Sequence, residues 1–156
     1  MDKSAAKILV ICMGNICRSP TGEAVLKSKA QELGINITVD SAGTISYHAG
    51  NPPDPRTVQA GVSRDYNFSG MQSRQVTIND FEDFDYILAA DKSNLSDLIA
   101  LCPSHLQYKL SLFLSHGDSD HIEVPDPYYG GENGFELVLD LIEEASVKFL
   151  EKISNG

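Results

Sequence analysis

Ile8-Leu9-Val10-Ile11-Cys12-Met13-Gly14-Asn15-Ile16-Cys17-Arg18-Ser19-Pro20 decides how this chain folds. Residues 8–12 are an unbroken apolar run rich in β-branched side chains, which reads as a strand buried on both faces. Ser19-Pro20 opens a helix, because a hydroxyl residue caps well and proline suits the first turn. Leu26, Ala30 and Leu33 follow on one face, and Gly34 stands where the residue after a helix belongs. The five residues between Cys12 and Arg18 can curl the backbone into a ring of inward N–H groups before the helix begins. Gly14 permits close approach, and Asn15 is one of the few residues with a Cβ that tolerate a left-handed conformation. Such a ring is an anion cup.

The same alternation continues outward. Residues 37–39, 86–90 and, more weakly, 108–113 read as further strands. Asp54-Pro55 starts a helix through about Asp65, Asp91 starts another that Pro103 stops, and Asn133 caps a last helix with Glu136 three residues on. Strands alternating with helices predict an α/β fold: one doubly wound domain over residues 1–156, its four-stranded parallel sheet flanked by helices on both faces. The length of 156 residues and 42% hydrophobic content suit one core of that size. Ligands in such folds bind beyond the carboxyl ends of the strands, where Cys12 lies.

The formal charge of −10 argues against nucleic acid or an anionic membrane as partner, so an anion must be held by a local device. Residues 1–7 are polar, and no apolar run approaches the ~18 residues of a membrane span; the expectation is a cytoplasmic protein without membrane insertion. Cys12, Cys17 and Cys102 are an odd set in a chain that needs no staples. His48, His105, His116 and His121 are scattered, without zinc-type spacing, so no metal site is expected.

The helix dipole and the planar fork of Arg18 both favour an anion in the cup and a thiolate at Cys12. The plainer reading makes Cys12 a small buried residue closing a strand and Gly14-Asn15 an ordinary turn. Strand, cup and capped helix in one continuous stretch weigh against it.

The stretch from Cys12 to Pro20 resembles the phosphate loop of the low-molecular-weight protein tyrosine phosphatases. The similarity runs on through Asp40-Ser41-Ala42-Gly43-Thr44, Gly50-Asn51-Pro52-Pro53-Asp54, Ser73-Arg74-Gln75, Phe84-Asp85-Tyr86-Ile87-Leu88, Asp91-Lys92-Ser93-Asn94-Leu95 and Asp126-Pro127-Tyr128-Tyr129. The resemblance implies the phosphotyrosine protein phosphatase I-like fold and hydrolysis of phosphotyrosine and small aryl phosphates through a cysteinyl phosphate, without cofactor. In it Cys12 is the nucleophile, Arg18 the phosphate clamp, and Met13, Gly14, Asn15, Ile16, Cys17 and Ser19 complete the phosphate-binding loop. It further implies phosphotyrosine proteins or peptides as partners, inorganic phosphate as product and inhibitor, and a monomer with weak dimerisation.

A departing phenolate needs a proton that the cup does not supply. Asp126, stiffened between Pro125 and Pro127 and followed by two tyrosines able to flank a phenyl ring, matches the family's general acid. Alone, residues 124–131 would read as a proline-bounded turn. By resemblance Asn15 and Ser41 form a supporting pair; family members often add a histidine where Met71 stands, and methionine cannot donate that bond. Tyr47, His48, Tyr128 and Tyr129 fall on the substrate rim, although an exposed tyrosine at 47 needs no such role. Ser19 can cap its helix or donate to the Cys12 sulfur, and Asp91 can cap or stand by the loop. Cys17 is implied as the redox partner of Cys12. The alternatives are a thioredoxin-coupled arsenate reductase, a phosphocarrier with a similar cup, and a non-catalytic phosphotyrosine-binding or redox-sensing module.

Overall fold

Ile8, Leu9, Val10 and Ile11 are each at most 1% exposed, and covering both faces of this one run organises the molecule. The computed structural model describes residues 5–127 and 131–155. In chain order the elements are β1 (Ala6–Cys12), α1 (Arg18–Leu33), β2 (Ile37–Gly43), α2 (Pro55–Val62), α3 (Ile78–Asp83), β3 (Tyr86–Ala89), α4 (Lys92–Leu101), β4 (Leu110–Leu112) and α5 (Gly131–Asn155), with 3₁₀ helices Ser104–Lys109 and Phe113–His116 flanking β4. The four strands are all parallel in the order β2-β1-β3-β4. Chain connections leave β1 and β3 in opposite directions, so a crevice opens beyond their carboxyl ends.

Alternation along the strands sorts the core into two layers. Ile8, Val10 and Cys12 join Leu88, Leu26, Val138, Ile142 and Phe149 on the side of α1 and α5. Leu9 and Ile11 join Ile87, Ala89, Phe81 and Leu98 on the side of α3 and α4. Each such large aliphatic side chain contributes about 1.5–3 kcal/mol on burial.

Several element boundaries differ from the sequence reading. α1 begins at Arg18 with Cys17 as N-cap residue, so Ser19 lies inside the first turn and caps nothing. α5 begins at Gly131, two residues before the expected cap Asn133, because glycine is a poor helix former and conceals the start. α2 ends at Val62, short of Asp65, which takes a left-handed φ of 69°. α3 was not anticipated; six residues are too few for a periodic signal, yet Thr77 and Asp80 form the reciprocal capping box that starts it.

At the far end of the sheet His116 packs edge-on against Phe149, ring centroids 4.8 Å apart. Lys152 Nζ lies 3.3 Å from its Nδ1 and Ser111 Oγ 2.8 Å from its Nε2. Lysine only donates, so Nδ1 accepts and Nε2–H donates to the serine. Burial, reinforced by Lys152, pushes the His116 pKa down from 6.5 to about 4. Below 6.5 the unfolded chain takes a proton that the folded one refuses, so stability declines as pH falls from 6.5 towards about 4. Thermal unfolding across that range is expected to show a steeper loss for the native chain than for His116→Gln, which keeps a donor to Ser111; equal slopes would refute it.

Candidate functional site

Where β1 ends, the carbonyls of Cys12, Met13, Gly14, Ile16 and Cys17 are each received by a donor outside the loop ring. Thr44 N–H donates to the Cys12 carbonyl at 3.0 Å, Ile45 N–H to Met13 at 3.2 Å, and Asp54 N–H to Ile16 at 2.8 Å. Ser73 Oγ donates to the Gly14 carbonyl at 2.8 Å, and Thr21 donates through N–H and Oγ1 to Cys17 at 3.1 and 2.8 Å. No peptide among the described residues is cis, so each outward carbonyl turns the next N–H the opposite way, into the ring. Asn15 shows the result: with a left-handed φ of 58° its N–H reaches Cys12 Sγ at 3.3 Å. The sulfur forms the floor of the cup, and Cys12 is only 3% exposed.

Asn15 holds this shape from both ends of its amide. Its Oδ1 accepts the Arg74 N–H at 3.0 Å, which fixes the amide orientation. Its Nδ2 donates to Ser19 Oγ at 2.7 Å and Ser41 Oγ at 3.0 Å. Ser19 Oγ stands 3.0 Å from Cys12 Sγ, so of the two roles open to Ser19, its hydroxyl serves the sulfur. Met71 packs half-buried against the core, and Ser41 Oγ–H donates instead to Glu23 Oε1 at 2.7 Å. Arg74 is anchored by Asp40 and Asp80 at 3.0 and 2.9 Å. Burial works against its charge, but the bonds to those carboxylates outweigh it and hold its pKa above the usual arginine value.

Arg18 lies against the opposite wall, 8% exposed. Its Nη1 donates to Asp91 Oδ2 at 2.8 Å and to the Val124 carbonyl at 3.0 Å. Both bonds use Nη1, which leaves the Nε and Nη2 edge to meet two oxygens of an anion. Asp91 also caps α4, its Oδ1 accepting the Asn94 N–H at 2.7 Å, so both roles considered for it are filled. Val124 N–H donates to the Ala90 carbonyl at 2.8 Å. The segment carrying Asp126 is thus fastened to the residue that follows β3 and to Arg18, two residues before that half-buried carboxylate.

On the rim, Tyr47 is 83% exposed and meets His48 edge-on, ring centroids 4.8 Å apart. His48 covers the bare face of Gly14, where an added Cβ would stand 3.0 Å from Cδ2. Met13 is exposed beside them. Tyr128 and Tyr129 lie outside the described residues. Cys17 is buried, and so is Cys102, whose Sγ rests on the Pro103 carbonyl at 3.4 Å. Burial pushes the Cys102 thiol up, against the weaker influence of Lys109, which suits an inert residue. Glu23, Ser73, Arg74 and the Val124 carbonyl were not singled out from the sequence for any part in the site.

Comparison with known proteins gives one consistent family. Residues 7–156 match the family model described as low molecular weight phosphotyrosine protein phosphatase. The low molecular weight phosphotyrosine protein phosphatase of Homo sapiens is 38% identical, over 97% of this chain and 98% of that protein. The low molecular weight protein-tyrosine-phosphatase YfkJ of Bacillus subtilis is 40% identical, with 94% of each covered. A protein tyrosine phosphatase crystal structure from Entamoeba histolytica superposes with a TM-score of 0.94 at 41% identity, covering 97% of this chain and 99% of that one.

The Asn15 amide is expected to carry the loop's shape. Asn15→Ala loses its three bonds and places an ordinary residue at positive φ, a loss of about 2–4 kcal/mol in denaturant unfolding. Asn15→Gly should recover about 1 kcal/mol of that by relieving the backbone alone. Wild-type stability in both variants would show that the loop does not depend on the amide.

Proposed function

Because the chain belongs to the low-molecular-weight phosphotyrosine protein phosphatase family, we propose that it hydrolyses phosphotyrosine in proteins, and small aryl phosphates, through a phosphocysteine on Cys12. The observation that carries this reading is the cup itself: outward carbonyls, inward N–H groups, and a sulfur on the floor that receives the Asn15 N–H and faces the Ser19 hydroxyl.

In the first displacement the Cys12 thiolate attacks phosphorus in line, an S–P bond forms and the bond to the phenolic oxygen breaks. Loop N–H groups and the free edge of Arg18 hold the equatorial oxygens, whose charge they match better as the transferring group flattens. The Asp126 carboxyl passes its proton to the departing phenolate. In the second, Asp126 as carboxylate takes a proton from water, the water oxygen bonds to phosphorus, and the S–P bond breaks to return the thiolate and release inorganic phosphate. Ser19 assists the second departure by donating to sulfur as it regains charge. Tyr47 and His48 form a rim that would flank a substrate ring, the role that the resemblance also gives Tyr128 and Tyr129.

Arsenate reduction through a thiol relay is less well supported. The cysteine remaining for such a relay is Cys102, which closes α4 with its sulfur on a carbonyl. A phosphocarrier would have no use for Asp126, and a binding module none for a buried nucleophile braced in this way.

Replacing Asp126 with Asn should lower turnover of an aryl phosphate by about 10²-fold or more, the scale of general acid catalysis, and Cys12→Ser should abolish it. Unchanged turnover in Asp126→Asn removes that residue from the mechanism. Cys17, the redox partner in this reading, gives a further test. Peroxide should inactivate the enzyme and dithiothreitol restore it, because a Cys12–Cys17 disulfide shields the nucleophile from irreversible oxidation. Equal recovery in Cys17→Ser would show that the pair has no protective role.

A further inference from the structure

Glu23 is 5% exposed, an unusual place for a carboxylate. It sits on α1 one turn beyond the phosphate loop, and neither the reaction nor the helix requires it there. One oxygen accepts the Ser41 hydroxyl at 2.7 Å and the other accepts Lys27 Nζ at 2.5 Å. Lys27 itself is half exposed, its side chain at 52%. From Glu23 an unbroken series of contacts runs inward through Ser41, Asn15 and Ser19 to Cys12 Sγ.

We infer that Glu23 is a positioning residue for Cys12: its buried carboxylate takes the Ser41 proton and so keeps the Ser41 oxygen turned to Asn15, bracing the amide whose other hydrogen leads through Ser19 to the nucleophilic sulfur. The direction of each bond follows from what each group can do. Asn15 Nδ2 has two hydrogens and no lone pair to offer, so Ser19 Oγ and Ser41 Oγ both accept from it. Each hydroxyl then has one proton left. That of Ser41 needs an acceptor, and Glu23 Oε1 is the one in place. That of Ser19 points to Cys12 Sγ. If Glu23 did not accept, the Ser41 hydroxyl would have to turn to another acceptor, and Asn15 would lose the partner that holds its second hydrogen.

The inference rests on Cys12 being the nucleophile, and its test keeps the two claims apart. Glu23→Gln preserves shape but not direction. The Lys27 ammonium demands the amide oxygen, so the amide NH₂ turns to Ser41 and gives that hydroxyl a second donor in place of an acceptor. Removing Lys27 as well, in Glu23→Gln/Lys27→Met, frees the amide to turn its oxygen back to Ser41. Two readouts serve: iodoacetamide alkylation of Cys12 at mildly acidic pH, which needs no turnover, and steady-state hydrolysis of an aryl phosphate.

Glu23→Gln is expected to slow alkylation and lower kcat by about ten-fold, the scale of one well-placed hydrogen bond, with KM little changed. The double variant with Lys27→Met should regain most of both, and Glu23→Gln combined with Ser41→Ala should be no worse than Ser41→Ala alone. Loss of a negative charge by itself would favour the thiolate, so faster alkylation in Glu23→Gln would overturn the inference, as would wild-type behaviour, failure of Lys27→Met to rescue, or additivity with Ser41→Ala. Absence of any phosphatase activity in the native protein would strike the proposed function and leave the alkylation pattern to decide the role of Glu23.

Discussion

A short loop must present its N–H groups to a single point, and a peptide can do so only by sending its carbonyls the other way. Buried carbonyls need donors, so the surroundings of residues 12–17 are built as a ring of donors: the first residues after β2, the N–H of Asp54, whose carboxylate caps α2, the Ser73 hydroxyl, and Thr21 in the first turn of α1. The parallel sheet provides the first of these at no extra cost in structure, because pairing of β2 with β1 simply continues past Gly43 into Thr44 and Ile45. The cup is therefore less a motif of one loop than the place where four separate segments satisfy it.

The second constraint is that the proposed phosphate clamp and the proposed proton donor arrive from distant parts of the chain and must agree in position. One nitrogen of Arg18 secures this by bonding both Asp91 and the Val124 carbonyl. The guanidinium plane is fixed by α4 on one side and by the segment of Asp126 on the other. A displacement of the acid segment would then be felt at the clamp, which couples the two halves of the proposed reaction through a single rigid group.

Signals confined to a few neighbouring residues were legible in the sequence. The run before Cys12, Gly34 at a left-handed φ of 70°, Asp54 accepting the Arg56 N–H, and the cap at Asp91 each act within about one turn, and the reading found them. Burial of α1's acidic residues was not legible, because Glu23 and Glu32 look alike on a helix and differ only in what packs over them; their side chains are 7% and 63% exposed. Ser73 and Arg74 were visible as part of a resemblance, but their bonds to Gly14 and Asn15 span 59 positions. Ser19 kept two roles open in the sequence because its local context fits both, and only the sulfur's position decides between them.

An acidic chain proposed to hold a dianion has to solve an electrostatic problem locally, since a charge beyond about 8 Å is largely screened at physiological salt. Formal charges inside the site do not solve it: Arg18 is matched by Asp91, and Glu23 by Lys27. What remains unbalanced is dipolar. The amino end of α1 and the inward N–H groups of the loop, that of Asn15 on the sulfur among them, turn their positive ends towards the cup. Dipoles fixed by the fold need no reorganisation when charge moves from phosphate to phenolate and back to sulfur, whereas a free cation would bind ground state and product alike. Pairing off the formal charges and leaving the backbone to do the binding is thus compatible with a net charge of −10, and it favours charge in flux over charge at rest.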